Sequence, residues 1–210
     1  MDSRITITNG SGNEPEGKVQ CVLGQSGDKD PSRGYGRIIQ ILVGEGSLLR
    51  VELTKATTAE KSIINNLCQF YLYEFSQYMP SIRLEEQRGL YDGLPDLDDY
   101  WDNPNRVPFL IRVDGELAGF ALVIKGTSGE PHQIGEFFVL KKFGGKGVGT
   151  SVAQQIFDMF PGNWLIHEMW NNYQAQAFWR SVVNGYTNGH YEEYYDAHRR
   201  PFQKFTTPER

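Results

Sequence analysis

The sequence predicts one mixed α/β domain, in which a β-sheet is flanked by helices. Three apolar runs in the middle of the chain predict strands at residues 109–113, 116–124 and 133–140. Two amphipathic helical patterns follow them, and a glycine-rich turn at residues 144–149 joins the last of these strands to the first helix. A length of 210 residues with 39% hydrophobic residues fits a single domain with an ordinary core.

The first 50 residues are expected to form an N-terminal extension, and residues 51–210 the folded domain. Residues 9–17 and 24–34 are rich in glycine, proline and polar residues, which favours a poorly ordered segment. The apolar, β-branched run at residues 38–43 is expected to be a strand or an arm that adheres to the domain.

The domain is predicted to begin with a strand at residues 51–55 and a helix. Thr57 and Glu60 form a capping-box pattern, and apolar residues then recur at helical spacing as far as Tyr78. Pro80 is expected to end this helix. A short second helix is expected at about 82–90, followed by an acidic loop at 91–108.

The second half of the chain is predicted to alternate strands and helices. Asp114-Gly115 indicates a tight hairpin, so the strands on either side should be antiparallel neighbours. The remaining predicted elements are a helix from the glycine turn to Phe160, a strand at 164–168, a helix at 172–183 and strands at 189–195 and 200–205. The apolar stripes expected on the two helices are Val148, Val152, Ile156 and Phe160, and Ala175, Phe178, Trp179 and Val182.

Composition argues against several classes of protein. A formal charge of −5 disfavours general nucleic-acid binding, which usually needs a clustered basic face. Cys21, Cys68 and the four histidines lack the spacing of a metal site or a disulfide framework. With no signal-peptide pattern and no membrane-spanning apolar run, we expect a soluble, cytoplasmic protein with no nucleic-acid or membrane partner.

The turn at residues 144–149 has the character of a phosphate-binding loop. A helix start presents unpaired N–H groups and a slightly positive dipole end, and glycines let the backbone approach a phosphate closely. Lys141, Lys142 and Lys146 add positive charge. A glycine-rich turn without a ligand is the structural alternative.

Two common phosphate motifs fit this turn poorly. A nucleoside triphosphate loop needs Ser or Thr directly after the lysine, but Gly147 follows Lys146. A dinucleotide fingerprint wants glycine or alanine where Val152 stands, and it does not follow antiparallel strands. An enzyme that uses ATP or NAD is therefore the weaker alternative.

Two motifs resemble those of the GNAT superfamily of N-acetyltransferases. Phe138-Val139, the turn at 144–149 and the helix after it resemble motif A of that family. Asn172-Tyr-Gln-Ala175, followed by Phe178-Trp179, resembles its next motif. The order of elements from Val51 onward also matches, so the resemblance covers about 160 residues and leaves the extension out.

The resemblance implies an acyl-CoA N-acyltransferase fold, in which the strands at 133–140 and 164–168 splay apart at the centre of the sheet. It implies acetyl-CoA as co-substrate, no metal, and direct attack of an amine on the thioester. The pantetheine arm would pair with the backbone of residues 138–140, and the pyrophosphate would lie on N–H groups of residues 144–150. The implied cofactor-binding residues are Phe138, Val139, Leu140, Gly144, Gly145, Lys146, Gly147, Val148, Gly149, Thr150, Asn172, Phe178 and Trp179.

Two departures from the family pattern leave the proton chemistry open. Gly144 replaces a Gln or Arg, which removes a side-chain phosphate donor, and Trp179 stands where many relatives have a tyrosine acid. Tyr173, Tyr186 or water would then protonate the leaving thiolate. The catalytic candidates are Glu136, as base or as a structural residue, and Tyr173 as acid; His167 and Cys68 are expected to be structural.

The acceptor is expected to be a small-molecule or peptide amine. The regions that frame the acceptor in this family are acidic here, which would attract a polyamine-like, aminoglycoside-like or basic peptide substrate. These acidic residues are Asp92, Asp96, Asp98, Asp99, Asp102, Glu192, Glu193 and Asp196. An acidic solvated surface is the alternative interpretation, a homodimer is possible, and a catalytically weak or inactive acyl-CoA-binding relative is the rival function.

Overall fold

A computed structural model describes residues 21–22, 35–43 and 46–207. Most of the predicted poorly ordered extension, including residues 9–17 and 24–34, lies outside the described residues. The described chain is a mixed α/β structure with helices on both faces of its sheets, so the predicted fold class is confirmed.

The elements follow one another in an order close to the predicted one. The strands are β1 (Cys21–Val22), β2 (Gly36–Val43), β3 (Ser47–Lys55), β4 (Leu84–Glu85), β5 (Leu90–Tyr91), β6 (Arg106–Val113), β7 (Glu116–Ile124), β8 (Gln133–Val139), β9 (Asn163–His167), β10 (Glu192–Tyr195) and β11 (Pro201–Thr206). The helices are α1 (Lys61–Phe75), α2 (Asp99–Asp102), α3 (Val148–Met159) and α4 (Tyr173–Thr187), with short 3₁₀ turns at Thr58–Glu60 and Lys141–Phe143.

Two main sheets are present. Six strands pair antiparallel in the order β1-β2-β3-β6-β7-β8, and three pair antiparallel in the order β10-β11-β9. The predicted hairpin between β6 and β7 is confirmed, with φ of 52° at Asp114 and 81° at Gly115. These left-handed values explain the Asp-Gly dipeptide.

A single parallel bridge joins the two sheets. His132 pairs with Trp164. The His132 N–H donates to the Asn163 carbonyl at 2.7 Å, and the His132 carbonyl accepts from the Leu165 N–H at 2.9 Å. Beyond this point β8 and β9 share no ladder within the described residues. A β-bulge in β8 contributes to the divergence. Leu122 and Val123 of β7 pair with Glu136 and Ile134 of β8, so Gly135 is an extra residue in β8.

The sheets separate two hydrophobic cores. The larger core lies under α3 and α4, where the predicted stripe of Val148, Val152, Ile156 and Phe160 is buried. The smaller lies under α1 and α2 and contains Ile64, Leu67, Cys68, Tyr71 and Tyr100. Within the described residues, no helix is both long enough and apolar enough to cross a membrane.

Two element boundaries in the N-terminal half differ from expectation. The run at residues 38–43 lies in β2, and its partner β3 begins at Ser47 rather than Val51, so the predicted boundary at residue 50 falls inside a strand. The predicted domain division itself stays a prediction. Helix α1 ends at Phe75, three residues earlier than the apolar pattern indicated.

The expected helix at about 82–90 is wrong, because β4 and β5 form a small hairpin there. The Glu85 carboxylate accepts the backbone N–H groups of Gln87 and Arg88 at 3.0 Å each, and Gly89 has a φ of 64°. A side chain that caps the turn competes with helix formation. The predicted capping at Thr57 is present, since its N–H donates to Glu60 Oε2 at 3.0 Å.

Candidate functional site

The glycine turn lies between β8 and α3. Gly145 and Gly147 have φ of 68° and 75°, a left-handed conformation that glycine adopts without strain. The first hydrogen bond of the α3 ladder runs from the Ser151 N–H to the Gly147 carbonyl at 3.0 Å. The N–H groups of Val148, Gly149 and Thr150 precede that bond, so they lie at the open end of the helix. Such a cradle fits a phosphate group.

Three lysines surround this turn in different ways. Lys141 Nζ lies 3.4 Å from Glu74 Oε1, and Lys142 Nζ lies 2.6 Å from Glu116 Oε2. Lys146 Nζ lies over the Phe143 ring, 6.0 Å from its centroid. Two of the cations are therefore already paired with carboxylates, and Lys146 is the cation best placed for an anion.

Aromatic rings pack between β8 and α4, beside the start of α3. Phe137 stacks on Phe178 with centroids 5.9 Å apart and meets Trp179 edge-on at 5.2 Å. A Cβ on Gly149 would lie 3.1 Å from Phe178 Cε2, so a larger residue there would require the Phe178 ring to shift. Asn172 caps α4, because its Oδ1 accepts the Ala175 N–H at 3.1 Å.

Glu136 lies immediately after the bulge and faces α1. The Tyr71 hydroxyl donates to Glu136 Oε2, and the Tyr71 ring packs edge-on against Phe120 and Phe138. Burial raises the pKa of Glu136, while the hydrogen bond from Tyr71 opposes that rise. A carboxylate with a raised pKa is a better proton acceptor near neutral pH than an ordinary one.

Sequence reasoning missed the residues around Glu136. Tyr71 was visible only as one member of an apolar stripe, and Tyr100 as part of an acidic loop. A Cβ on Gly135 would collide with the Tyr100 hydroxyl, so any larger residue at the bulge would require the buried Tyr100 side chain to shift. Cys68 is fully buried as expected. The pKa of its thiol is raised to about 12, mainly by burial and secondly by the nearby Glu136 charge.

The other candidate proton donors lie in different surroundings. Tyr173, the first residue of α4, is 71% exposed. Tyr186 donates to Asp158 Oδ1 at 2.8 Å and packs against Phe157, which gives it a structural role in the core. Trp179 is 6% exposed, and its indole N–H makes no hydrogen bond within the described part of the chain.

Most of the acidic residues that were expected to attract a cation are ion-paired. Five of the eight carboxylates lie within 4.0 Å of a basic group. These pairs are Asp98–Lys61, Asp92–Arg88, Asp99–Arg106, Glu193–Arg180 and Asp196–Arg200. The local field on an incoming cation is therefore weaker than the residue count indicates.

A model of the acetyltransferase (GNAT) family matches residues 69–183, more than half of the chain. The chain belongs to the GNAT family of acetyltransferases. Family and fold together support acyl transfer from acetyl-CoA. A search of curated protein sequences gives no significant match.

Solved structures share the fold at low sequence identity. The GNAT domain of S. lividans PAT has a TM-score of 0.51 at 13% identity, covering 80% of this chain and 96% of that one. An acetyltransferase from Thermus thermophilus has a TM-score of 0.50 at 18% identity, covering 74% and 96%. The ribosomal-protein-S18-alanine N-acetyltransferase from Escherichia coli has a TM-score of 0.50 at 11% identity, covering 76% and 96%.

Proposed function

We propose that this chain transfers the acetyl group of acetyl-CoA to an amine by direct attack on the thioester. The observation that carries the proposal is the gap between β8 and β9. The two strands pair at His132 and Trp164 and share no further ladder within the described residues, and the N-terminus of α3 follows β8. A phosphate cradle at one end of a gap between two strands suits an extended acyl-CoA.

The cofactor would be held mainly by backbone groups. The pyrophosphate would lie on the N–H groups of residues 144–150 other than that of Gly144, which already donates to the Lys141 carbonyl at 3.0 Å. Lys146 would be the additional cation. Strand β8 is the last strand of its sheet, so past His132 its second edge is open to the amide groups of pantetheine at residues 138–140. Phe178 and Trp179 form the wall of the gap.

Acetyl-CoA, when bound, supplies an acyl group activated as a thioester. Glu136 receives the proton of the attacking amine, directly or through water. Its carboxylate lies on the α1 side of β8, and the Tyr71 hydroxyl fixes the orientation of one of its oxygens. Much of the rate would come from positioning the two reactants.

Trp179 supports a rival function. Its buried indole stands at the position of the family's tyrosine acid, and an indole N–H is too weak an acid to protonate a thiolate. A chain without any other proton donor would bind acyl-CoA but turn it over slowly or not at all. Binding without turnover would favour this regulatory alternative.

One experiment separates the two functions. Acetyl-CoA binding is measured by calorimetry, and release of the CoA thiol is followed with polyamines, an aminoglycoside, a basic peptide and neutral amines. Thiol release that depends on a cationic amine supports the proposal. Binding without release supports the rival, and turnover only with neutral or acidic acceptors contradicts the cationic-acceptor hypothesis.

A matched pair of lysine variants tests the cofactor site. Lys146→Ala should weaken CoA binding about tenfold, because a charge-assisted hydrogen bond at a partly exposed site contributes about 1–2 kcal/mol. Lys142→Ala should change binding less than twofold, because Lys142 is paired with Glu116. Equal effects of the two variants would contradict this placement of the pyrophosphate.

A further inference from the structure

A second buried carboxyl group lies across the gap from Glu136. Glu136 is the fourth residue after His132, and Glu168 is the fourth after Trp164, the two residues that form the parallel bridge. The two carboxyl groups therefore lie at a similar distance along the diverging strands. Glu168 is 6% exposed and follows the last residue of β9.

The two carboxyl groups face opposite sides of the sheets. Trp164 and Ile166 are buried in the core under α3 and α4, and Glu168 continues that alternation. Arg180 of α4 and Glu193 of β10 are the charged groups that act on it. Glu168 is thus on the same side as Trp179, whereas Glu136 faces α1 and Tyr71.

The hydrogen bonds of Glu168 indicate its protonation state. The Gln203 side-chain N–H donates to Glu168 Oε2 at 3.4 Å, and Gln203 is fully buried. Glu168 Oε1 and Gln203 Oε1 are both buried acceptors that have no donor within the described residues. A proton on Glu168 Oε1 that points to Gln203 Oε1 would satisfy both atoms and close an acid–amide pair.

The surrounding charges agree with a neutral acid. Burial raises the pKa of Glu168 to about 8, even though the hydrogen bond donated by Gln203 and the charge of Arg180 both oppose the rise. The Arg180 guanidinium is engaged elsewhere, because its Nη2 lies 2.8 Å from Glu193 Oε1 and 2.9 Å from the Tyr195 hydroxyl. Among the described residues, the charge of Arg180 is therefore shared with Glu193 and does not outweigh the burial of Glu168.

We propose that Glu168 is a carboxylic acid paired with Gln203 and that it protonates the departing CoA thiolate in place of the missing tyrosine. This inference rests on the proposed acetyl transfer. The amine nitrogen forms a bond to the acetyl carbon, the carbon–sulfur bond breaks, and the amine proton passes to Glu136. The Glu168 proton passes to sulfur, and exchange with water returns both carboxyl groups to their starting states.

Glu168→Gln is the decisive variant. An amide pair with Gln203 replaces the acid–amide pair, so packing is kept while the transferable proton is lost. The variant should bind acetyl-CoA normally but lose about 10²-fold or more in kcat. The alkaline limb of the wild-type pH profile, expected near the pKa of about 8, should disappear. A kcat within about threefold of wild type with the alkaline limb intact would overturn the proposal.

Infrared spectroscopy tests protonation without relying on turnover. Wild-type protein at pH 7 should show the carbonyl band of a protonated carboxylic acid, lost in Glu168→Gln and retained in Glu136→Gln. Absence of that band from the wild type overturns the acid–amide pair. If the wild type shows the band but acetylates no amine, the proposed function is wrong, and so is the proton transfer. If the wild type is active and Glu168→Gln is equally active, only the assignment of Glu168 as proton donor is wrong.

Discussion

Replacing Tyr71 with phenylalanine tests whether Glu136 is the base. The Tyr71 hydroxyl donates to Glu136 Oε2, and this hydrogen bond lowers the pKa of Glu136 against the effect of burial. Tyr71→Phe keeps the ring against Phe120 and Phe138 and removes only the donor. The pKa of Glu136 should therefore rise further, so a higher pH is needed to ionise it.

The size of the effect follows from the lost hydrogen bond. A hydrogen bond to a charged group contributes about 1.5–3 kcal/mol, and about 1.4 kcal/mol corresponds to a factor of ten in the ionised fraction. On the acidic side of the profile, kcat/KM should fall at least about tenfold. At the pH optimum, where Glu136 is ionised in both proteins, the rates should differ by no more than about twofold to threefold.

The assay is thiol release from acetyl-CoA across a range of pH at saturating amine and at limiting amine. Tyr100→Phe is the matched control, since Tyr100 is another buried tyrosine on the same side of β8 and donates no hydrogen bond to Glu136 among the described contacts. Its acidic limb should not move. A Tyr71→Phe profile that falls equally at every pH, or that does not change, would refute the assignment of Glu136 as base.

Three further predictions concern packing and the cofactor site. Gly149→Val should weaken CoA binding and lower stability, because a Cβ there would lie 3.1 Å from the Phe178 ring; calorimetry and thermal melting measure both. Gly185→Ala, at a helical glycine with nothing within 4 Å of the added Cβ, should instead stabilise the fold by about 0.4–1 kcal/mol in urea unfolding. In a Cys21→Ser background, Cys68 should resist a thiol reagent at pH 8 until the protein is unfolded. The reason is that burial raises the pKa of the Cys68 thiol to about 12. Rapid labelling of the native protein would contradict the core position of Cys68.

Local signals in the sequence were enough to predict most elements of the fold from β6 onward. Asp114-Gly115 and the apolar stripe from Val148 to Phe160 are signals between residues that lie close together in the sequence, as is the helical pattern at 172–183. The hairpin and the two helices that they predict are present. The helix predicted at about 82–90 is absent because the Glu85 side chain and Gly89 set the conformation of that segment. Their effect outweighs a weak helical pattern.

The cofactor turn and the proton-moving groups differ in how far the sequence predicts them. The turn is one continuous segment, so its glycines, lysines and helix start could be read together. Glu136 depends on Tyr71, which is 65 residues away, and Glu168 depends on Gln203, which is 35 residues away. Neither pair belongs to a short sequence motif, so neither contact could be predicted from the sequence.

These pairs change how the loss of the tyrosine at Trp179 should be interpreted. If the residue that protonates the leaving thiolate had to lie on α4, the buried indole of Trp179 would imply an inactive chain. The splay of β8 and β9 instead gives each strand a carboxyl group near the gap, one facing α1 and the other facing α4. Burial raises the pKa of both groups. Tyr71 donates a hydrogen bond to Glu136 and favours its ionised form, whereas the Gln203 amide oxygen, which has no donor within the described residues, would accept a hydrogen bond from a protonated Glu168. With Glu136 as a carboxylate and Glu168 as the proposed neutral acid, two glutamates would divide the roles of base and acid, so Trp179 by itself does not imply an inactive enzyme.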